Sequence, residues 1–296
     1  MRGTQNLFLG VDGGGTKCRA RIMSQDGMTL GSGSGGNANI GLGLDVVFTS
    51  IETATREALA QAGLSEDYMS RLHAGLGLAG AIDETDRESV TRFANMFASA
   101  TVWSDAYVAC LGAHAGQPGG IVILGTGSCG CVISDAGVTH IGGWGFELGD
   151  SGSGAWLGQL AIRQALLAYD GLANNSPLTD AINNQFNNTP MNMVRWAKSA
   201  IPSDFSSFAP LVSEYATKHD ETAVVLMRRT GQEVTKLIEA VLGYGVERVA
   251  LMGGMANAVT PYLSKPVRKA TVKSLGDAVD GALLMAQAHV GKITGD

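Results

Sequence analysis

Residues 7–22 have the sequence LFLGVDGGGTKCRARI, an apolar run followed by three glycines and a stretch of alternating residues. From Cys18 to Ile22 apolar and basic residues alternate with the period of two that is typical of a half-buried strand. An apolar strand, a glycine-rich turn and an alternating strand together predict a β-hairpin. Three basic side chains are expected to lie exposed on one face of its second strand: Lys17, Arg19 and Arg21.

A second segment repeats this pattern in the middle of the chain. Residues 121–124 are apolar, the turn Gly125-Thr126-Gly127-Ser128 follows, and residues 129–133 alternate. Between and after the hairpins the residue pattern predicts alternating helices and strands: helices at 45–62, 84–98, 153–170, 221–242 and 278–290, and strands at 73–78, 101–103 and 248–252. The repetition indicates two α/β lobes of one design. Two unrelated hairpins in a chain with 41 glycines are the alternative.

The composition excludes several classes of protein. A chain of 296 residues with 45% hydrophobic and 16% charged residues is expected to fold around a large core, with room for two domains. A net charge of −6 argues against nucleic-acid or membrane-surface partners. The four cysteines have neither zinc-type spacing nor the density of a disulfide scaffold, so we expect a reduced, cytoplasmic setting.

The first glycine turn has the chemistry of a phosphate site. Backbone N–H groups without a neighbouring Cβ can point together at phosphate oxygens, and Gly13 to Gly15 offer such groups. Asp12 would repel phosphate unless a divalent cation lay between them, which predicts Mg²⁺ bound through oxygen and water. A tight hairpin capped by an aspartate side chain is the structural alternative.

Asp105 follows the apolar strand at 101–103 and opens a helix. A carboxylate at the carboxyl end of a strand stands where an α/β protein binds ligands, so Asp105 is the candidate general base. The same position suits an ordinary helix N-cap, which Ser104 or Asp105 could supply equally well.

Five motifs stand in a fixed order along the chain: the first hairpin, Asp105, the second hairpin, GGWGFELGDSGSG at 142–154 and LMGGMA at 251–256. In this order they resemble the N-acetylglucosamine kinase and glucosamine kinase branch of the BadF/BadG/BcrA/BcrD-type ATPases, within the actin-like, hexokinase-type superfamily. The resemblance implies two ribonuclease-H-like lobes with a central cleft. The N-terminal lobe would cover residues 1–114, with a C-terminal helix at 282–296 packing back on it, and the C-terminal lobe residues 115–281 with helical insertions.

The resemblance also implies roles for individual residues. The nucleotide would be bound by a phosphate-1 loop, a phosphate-2 loop and an adenosine motif: Asp12, Gly13, Gly14, Gly15 and Thr16; Gly125, Thr126 and Gly127; and Gly253 and Gly254. Asp12 would also hold the metal ion. The sugar would be bound by Asn39, Asp105, Ser128, Trp144 and Asp150, with Asn37 as the alternative to Asn39 and with Glu147 as a further neighbour.

The function implied is ATP- and Mg²⁺-dependent phosphorylation of the 6-hydroxyl of an amino sugar, N-acetylglucosamine or glucosamine, with Asp105 as general base. Relatives of this kind often form homodimers. The alternative is an activator ATPase of the benzoyl-CoA reductase type with an iron–sulfur cluster, for which Cys129 and Cys131 would supply ligands. A sugar-sensing protein without turnover is a third reading.

Overall fold

A computed structural model describes residues 6–294 of the chain. Within these residues ten strands form two sheets of five. The strands of the first sheet are β1 (Leu7–Gly13), β2 (Cys18–Ser24), β3 (Thr29–Gly35), β4 (Leu72–Leu78) and β5 (Ser99–Ser104). Those of the second are β6 (Gly119–Leu124), β7 (Ser128–Ser134), β8 (Gly137–Gly142), β9 (Val249–Met252) and β10 (Thr271–Val272).

Both sheets have the same strand order. The first runs β3-β2-β1-β4-β5, with β1 antiparallel to β2 and parallel to β4, and β4 parallel to β5. The second runs β8-β7-β6-β9-β10, with β9 parallel to both β6 and β10. Each sheet thus begins with a hairpin and continues with parallel strands. This repetition confirms the predicted α/β class with two ribonuclease-H-like sheets.

Twelve α-helices connect or cover the strands of the described residues. In chain order they are α1 (Leu44–Gln61), α2 (Glu84–Phe93), α3 (Asp105–Ala113), α4 (Gly154–Tyr169), α5 (Pro177–Gln185), α6 (Pro190–Ala197), α7 (Pro202–Ser206), α8 (Ala209–Thr217), α9 (Glu221–Leu242), α10 (Ala256–Val259), α11 (Lys265–Ala270) and α12 (Ala278–Thr294). The helix predicted at 84–98 is wrong beyond Phe93. The chain turns there because it must enter β5, and the Ala98 N–H already donates to the Leu72 carbonyl at the start of β4.

The described chain divides into two compact units. One contains the described residues up to Gly119, residues 132–138 and those from Lys273 onward, and the other contains 120–131 and 139–272. The domain limits predicted at 114/115 and 281/282 stay predictions, and their outermost residues, 1–5 and 295–296, lie outside the described part. No helix within residues 6–294 is long and apolar enough to cross a bilayer.

The two faces of the first sheet are covered by different helices. On one face Leu9, Val11 and Ile22 lie in the main core with buried residues of α1. On the other face Phe8 packs with Leu283 and further apolar residues of α12. Burial of these apolar side chains supplies the main driving force for folding the unit.

Strand β3 is the edge of the first sheet, and the sequence pattern did not predict it because its sequence, TLGSGSG, is rich in glycine. A Cβ at Gly33 would lie within 3.0 Å of the Ala54 carbonyl and the Ala58 N–H, so only glycine lets α1 pack this closely. The open edge is capped by side chains of α1: Gln61 accepts the Ser32 N–H, and Glu57 accepts the Ser34 N–H at 2.7 Å. Glycine at every second position was the available signal for this strand.

The first prediction tests this close packing. Gly33→Ala is expected to lower the free energy of unfolding by about 1–3 kcal/mol, because the added methyl group forces the α1 backbone away from β3. Ser32→Ala is the matched control, since Ser32 is exposed and lies next in the same strand. Urea unfolding followed by circular dichroism measures both variants, and equal midpoints for Gly33→Ala and Ser32→Ala would contradict the packing argument.

Candidate functional site

The candidate residues of the first unit lie at the carboxyl ends of three neighbouring parallel strands. Asp12 near the end of β1 is aligned with Gly77 of β4, and Gly77 is aligned with Trp103 of β5. Asp105 directly follows β5, so its backbone stands two strands from that of Asp12, about 10 Å away at the usual strand spacing. Ligands of open α/β sheets bind beyond such strand ends. The two predicted aspartates therefore share one edge of the first sheet.

The loop after β1 has a fixed peptide orientation. Its carbonyl oxygens accept hydrogen bonds from neighbouring segments: Gly13 from the Ala79 N–H at 2.8 Å, Gly14 from the Ala38 N–H at 3.0 Å, and Gly15 from the Asn37 side-chain amide at 2.7 Å. The N–H groups of Gly15 and Thr16 have no partner among residues 6–294, and both residues are exposed. The Gly14 N–H, by contrast, donates to the Lys17 carbonyl at 3.1 Å. With its oxygens occupied and the N–H groups of Gly15 and Thr16 open, the loop can bind an anion.

The two candidate asparagines, Asn37 and Asn39, have different hydrogen-bond partners in the structure. The side-chain amide of Asn37 donates to the Gly15 carbonyl in the glycine loop, and its Oδ1 accepts a hydrogen bond from the Asn39 N–H at 2.9 Å. Asn39 Oδ1 accepts the Gly41 N–H at 2.9 Å, and its Nδ2 group has no partner within the described chain. Asn37 therefore has a role in shaping the loop, and Asn39 keeps a free donor for a ligand.

Asp105 is not the N-cap of α3. The cap is Ser104, whose Oγ accepts the Tyr107 N–H at 3.1 Å. Asp105 Oδ1 accepts the Ala106 N–H at 2.8 Å. Burial raises the pKa of the Asp105 carboxyl above its usual range, and the negative charge of Asp12 raises it further, against the opposing effect of the Ala106 hydrogen bond. A raised pKa beside a second carboxylate is typical of a functional group.

The expectation that the basic residues of β2 lie exposed is wrong for Arg19 and Arg21. Arg19 pairs with Asp12 at 2.7 Å and with Asp277 at 2.9 Å, and Arg21 pairs with Asp277 and Asp280. Both arginines are only partly exposed, because the side chains of this strand face point toward the start of α12. Sequence reasoning missed the pairing since Asp277 lies 258 residues from Arg19.

The donors near Asp12 fit a divalent ion held mainly by water and phosphate. No group of three or more histidine, cysteine, aspartate or glutamate residues within 6–294 could hold a metal ion by itself. Asp12 Oδ2 is bound by Arg19, whereas Oδ1 has no hydrogen-bond partner among the described residues. Mg²⁺ commonly binds proteins through one or two carboxylates and keeps several waters, with substrate phosphates completing its shell. One open carboxylate oxygen suits this mode.

The glycine turn of the second unit shows the same peptide polarity as the first. The Gly125 carbonyl accepts the Gly154 N–H at 2.8 Å, and the Thr126 carbonyl accepts the Ala155 N–H at 3.1 Å, both from the first turn of α4. The Gly127 carbonyl accepts the Gly125 N–H at 2.9 Å. The N–H groups of Thr126 and Gly127 have no partner in the described part of the chain. This turn can therefore bind an anion as well.

Asp150 packs directly against this turn. A Cβ at Gly127 would lie 2.7 Å from Oδ2 of Asp150, so a side chain at this position would displace the carboxylate. Burial raises the pKa of the Asp150 carboxyl, a hydrogen bond from the Ser128 N–H opposes this, and the charge of Glu147 raises it again. Ser128 is buried, and its hydroxyl donates to the Ser151 carbonyl at 3.1 Å. The predicted sugar residues Ser128 and Asp150 thus lie together.

The segment from Gly143 to Ser153 is a loop that exposes two of its large apolar side chains to solvent, while Phe146 packs against Phe205. Trp144 is 73% exposed and Leu148 is 90% exposed, which is unusual for side chains of this size. Asp150 has a positive φ of 56°, a conformation that non-glycine residues adopt rarely. Strained backbone of this kind is common at ligand-binding positions.

The predicted adenosine motif lies beside the second glycine turn. Strands β6 and β9 are parallel neighbours, with Ile123 aligned with Met252, so the turn after β6 and the glycines after β9 leave the same sheet edge. Gly253 has a φ of 93° and packs against the Leu124 carbonyl, and Gly254 has open space where a side chain would be. The glycines predicted for the adenosine motif therefore lie beside the second glycine turn at one edge of the sheet.

The second prediction concerns the stability cost of Asp105. Because its pKa is higher in the folded than in the unfolded protein, the folded state loses relative stability as pH rises above the ordinary value of 3.8. Asp105→Asn is therefore expected to have a higher Tm than the parent protein at pH 7–8, with the difference shrinking toward pH 4. Ser104→Ala, which removes the cap, is expected to cost about 1 kcal/mol at both pH values. A lower Tm for Asp105→Asn at pH 7–8 would contradict the assignment of a buried charge.

Comparison with known proteins places the chain in a family. It is 41% identical over 281 residues to glucosamine kinase GspK of Vibrio cholerae, covering 95% of this chain and 96% of that protein. It is 26% identical over 255 residues to the N-acetyl-D-glucosamine kinase of Dictyostelium discoideum, covering 81% and 80% of the two chains. The crystal structure of a candidate N-acetylglucosamine kinase from Chromobacterium violaceum superposes with a TM-score of 0.87 at 36% identity, covering 95% and 99%. The profile of one family matches residues 9–286, and the chain belongs to it: the BadF/BadG/BcrA/BcrD ATPase family.

Proposed function

We propose that the protein is an ATP-dependent kinase that phosphorylates the 6-hydroxyl of an amino sugar, with glucosamine as its preferred substrate. The observation that carries the proposal is the placement of Asp105. Its carboxyl has a raised pKa. Asp105 follows β5, which lies two strands away from β1, and β1 carries Asp12 and leads into the first glycine loop. The names of the similar proteins support the same activity.

The two glycine turns would bind the nucleotide phosphates through their open N–H groups. Gly13 to Thr16 would contact the transferred and β-phosphates, and Gly125 to Gly127 would contact the nucleotide phosphates from the second unit. Gly253 and Gly254 would lie against the adenosine, where backbone without side chains leaves room. Mg²⁺, held through Asp12 Oδ1 and water, would neutralise phosphate charge when bound.

Asp105 would act as the general base. Its Oδ1 is engaged by the Ala106 N–H, so Oδ2 is the oxygen expected to accept the proton of the sugar 6-hydroxyl as the new O–P bond forms. Phosphoryl transfer depends mainly on positioning and charge neutralisation, because its transition state is loose. A base whose pKa is raised toward neutrality holds the proton better than an ordinary carboxylate would.

The preference for glucosamine rests on charge. The charge of Glu147 lies close enough to raise the pKa of the Asp150 carboxyl, and neither residue has an ion-pair partner among residues 6–294. A ligand ammonium group beside them would relieve this repulsion, whereas an acetamide group would not. Asn39 would donate its Nδ2 group to a sugar hydroxyl, and the exposed ring of Trp144 offers an apolar surface to the sugar.

The cysteines argue against the activator function. Cys131 is fully buried in β7, and Cys129, two residues earlier, faces the same side of that strand and is only partly exposed. A cluster shared between subunits needs thiolates at a surface. The homodimer that relatives often form stays a prediction.

The third prediction tests the activity and the substrate together. Purified protein with ATP and Mg²⁺ is offered glucosamine, N-acetylglucosamine, N-acetylmannosamine, glucose and 6-deoxyglucosamine in a coupled assay of ADP release. We expect the highest kcat/KM with glucosamine, lower values with N-acetylglucosamine, and no turnover with the 6-deoxy sugar. ATP hydrolysis that no sugar stimulates, with a visible iron–sulfur absorption band, would instead support the activator.

The fourth prediction tests the base. Asp105→Asn is expected to lower kcat by about 10²–10⁴ with little change in the KM for ATP, since general-base catalysis is typically of this size. In the parent protein, activity is expected to fall as pH decreases, because protonation of Asp105 removes the base. Asp45→Asn is the control, since it changes an exposed aspartate in the first turn of α1. Near-normal turnover by Asp105→Asn would exclude this role.

A further inference from the structure

The side chain of Arg19 connects the carboxylate at the end of β1 with the start of α12. Its Nε and Nη2 atoms donate to Oδ2 of Asp12 at 3.2 and 2.7 Å. Its Nη1 donates to Oδ2 of Asp277 at 2.9 Å. Asp277 is itself fixed, because its Oδ1 accepts the Asp280 N–H at 3.0 Å while Asp280 Oδ2 accepts the Asp277 N–H at 2.8 Å. Asp277 therefore fixes the guanidinium of Arg19, and the guanidinium in turn fixes the carboxylate of Asp12.

Arg21 offers a built-in comparison. It lies two residues along the same strand face and pairs with Asp277 and Asp280, but it makes no contact with Asp12. Both arginines thus fasten β2 to the first turn of α12. The contact with Asp12 is what distinguishes Arg19.

We propose that Arg19 is a positioning residue of the nucleotide site, anchored by Asp277. By fixing Oδ2, it keeps Asp12 in an orientation in which Oδ1 stays available to the water shell of a nucleotide-bound divalent cation. This inference rests on the proposed function, because it assumes that the first glycine loop binds a metal nucleotide. Arg19 would thus have a role at the site, whereas the sequence pattern alone predicts only an exposed basic side chain.

The positive charge of Arg19 and its orienting contact with Asp12 are expected to have opposite effects on metal binding. A positive charge close to Asp12 repels a cation, so a side chain that acted only through charge would weaken metal binding, and its removal would strengthen it. The Arg19 side chain is 38% exposed, however, so solvent screens much of that charge. Partners that orient a metal-binding group typically change metal affinity by 10–100-fold. We therefore expect the loss of orientation to outweigh the loss of charge, so that removing Arg19 lowers metal affinity about tenfold.

The test compares ADP binding by calorimetry in Mg²⁺ with ADP binding in EDTA. The ratio of the two affinities measures how much the metal contributes, without any need for turnover. For Arg19→Gln we expect this ratio to fall about tenfold from the parent value while the affinity in EDTA stays unchanged. Arg19→Lys is expected to lie between, because an ammonium group keeps the charge but lacks the planar fork. Arg21→Gln is expected to keep the parent ratio.

Each outcome decides the inference. An unchanged or increased ratio for Arg19→Gln, or an equal fall for Arg21→Gln, would overturn the positioning role while leaving the kinase proposal intact if the parent protein phosphorylates an amino sugar. A parent protein that binds ADP in neither condition would overturn the proposed function and this inference with it. If Arg19→Gln does not fold, the ratio for Arg19→Lys decides, with an unchanged value overturning the role.

Discussion

The orientation of a few peptide groups in each of two glycine turns is the constraint on which the candidate anion sites of the two units depend. In each turn the peptide oxygens are occupied by donors from the same unit: Ala79, Ala38 and Asn37 in the first, and the first turn of α4 together with Gly125 in the second. Because a peptide cannot reverse its oxygen without losing that bond, the N–H groups of Gly15 and Thr16 in the first turn, and of Thr126 and Gly127 in the second, stay open. Selectivity for an anion is thus built into the backbone.

Two carboxylates lie near the first glycine turn, and their negative charge opposes anion binding. Both have a role in the proposed reaction. Asp12 stands at the glycine loop, and Asp105 stands two strands away with a pKa raised by burial and by the charge of Asp12. The buried charge of Asp105 lowers folding stability at neutral pH, a balance that is common where chemistry requires a desolvated residue. Arg19 and Arg21 offset part of the charge near Asp12, and they draw three aspartates of the first unit into one network.

Much of the fold could be predicted from local patterns. The two hairpins follow from a period of two around glycine, and α9 has the predicted limits because its apolar face repeats without interruption. Strand β3 was missed because glycine carries no hydrophobic signal. The motifs predict Asp12, Asp105 and the glycines as site residues, and the structure places them at the carboxyl ends of strands, whereas the N-cap role of Ser104 follows only from the structure. The pairing of Arg19 with Asp277 joins segments 258 residues apart, which no local pattern encodes.

The side chains that cap β3 have a consequence for association between molecules. An unprotected outer strand presents a row of amide hydrogens that can recruit a strand from another chain and begin a continuous fibre. Here Gln61 and Glu57 occupy the amide hydrogens of Ser32 and Ser34, and the carboxylate of Glu57 places a negative charge along the same rim. A strand with glycine at three of its seven positions is thereby protected from pairing with a strand of another molecule.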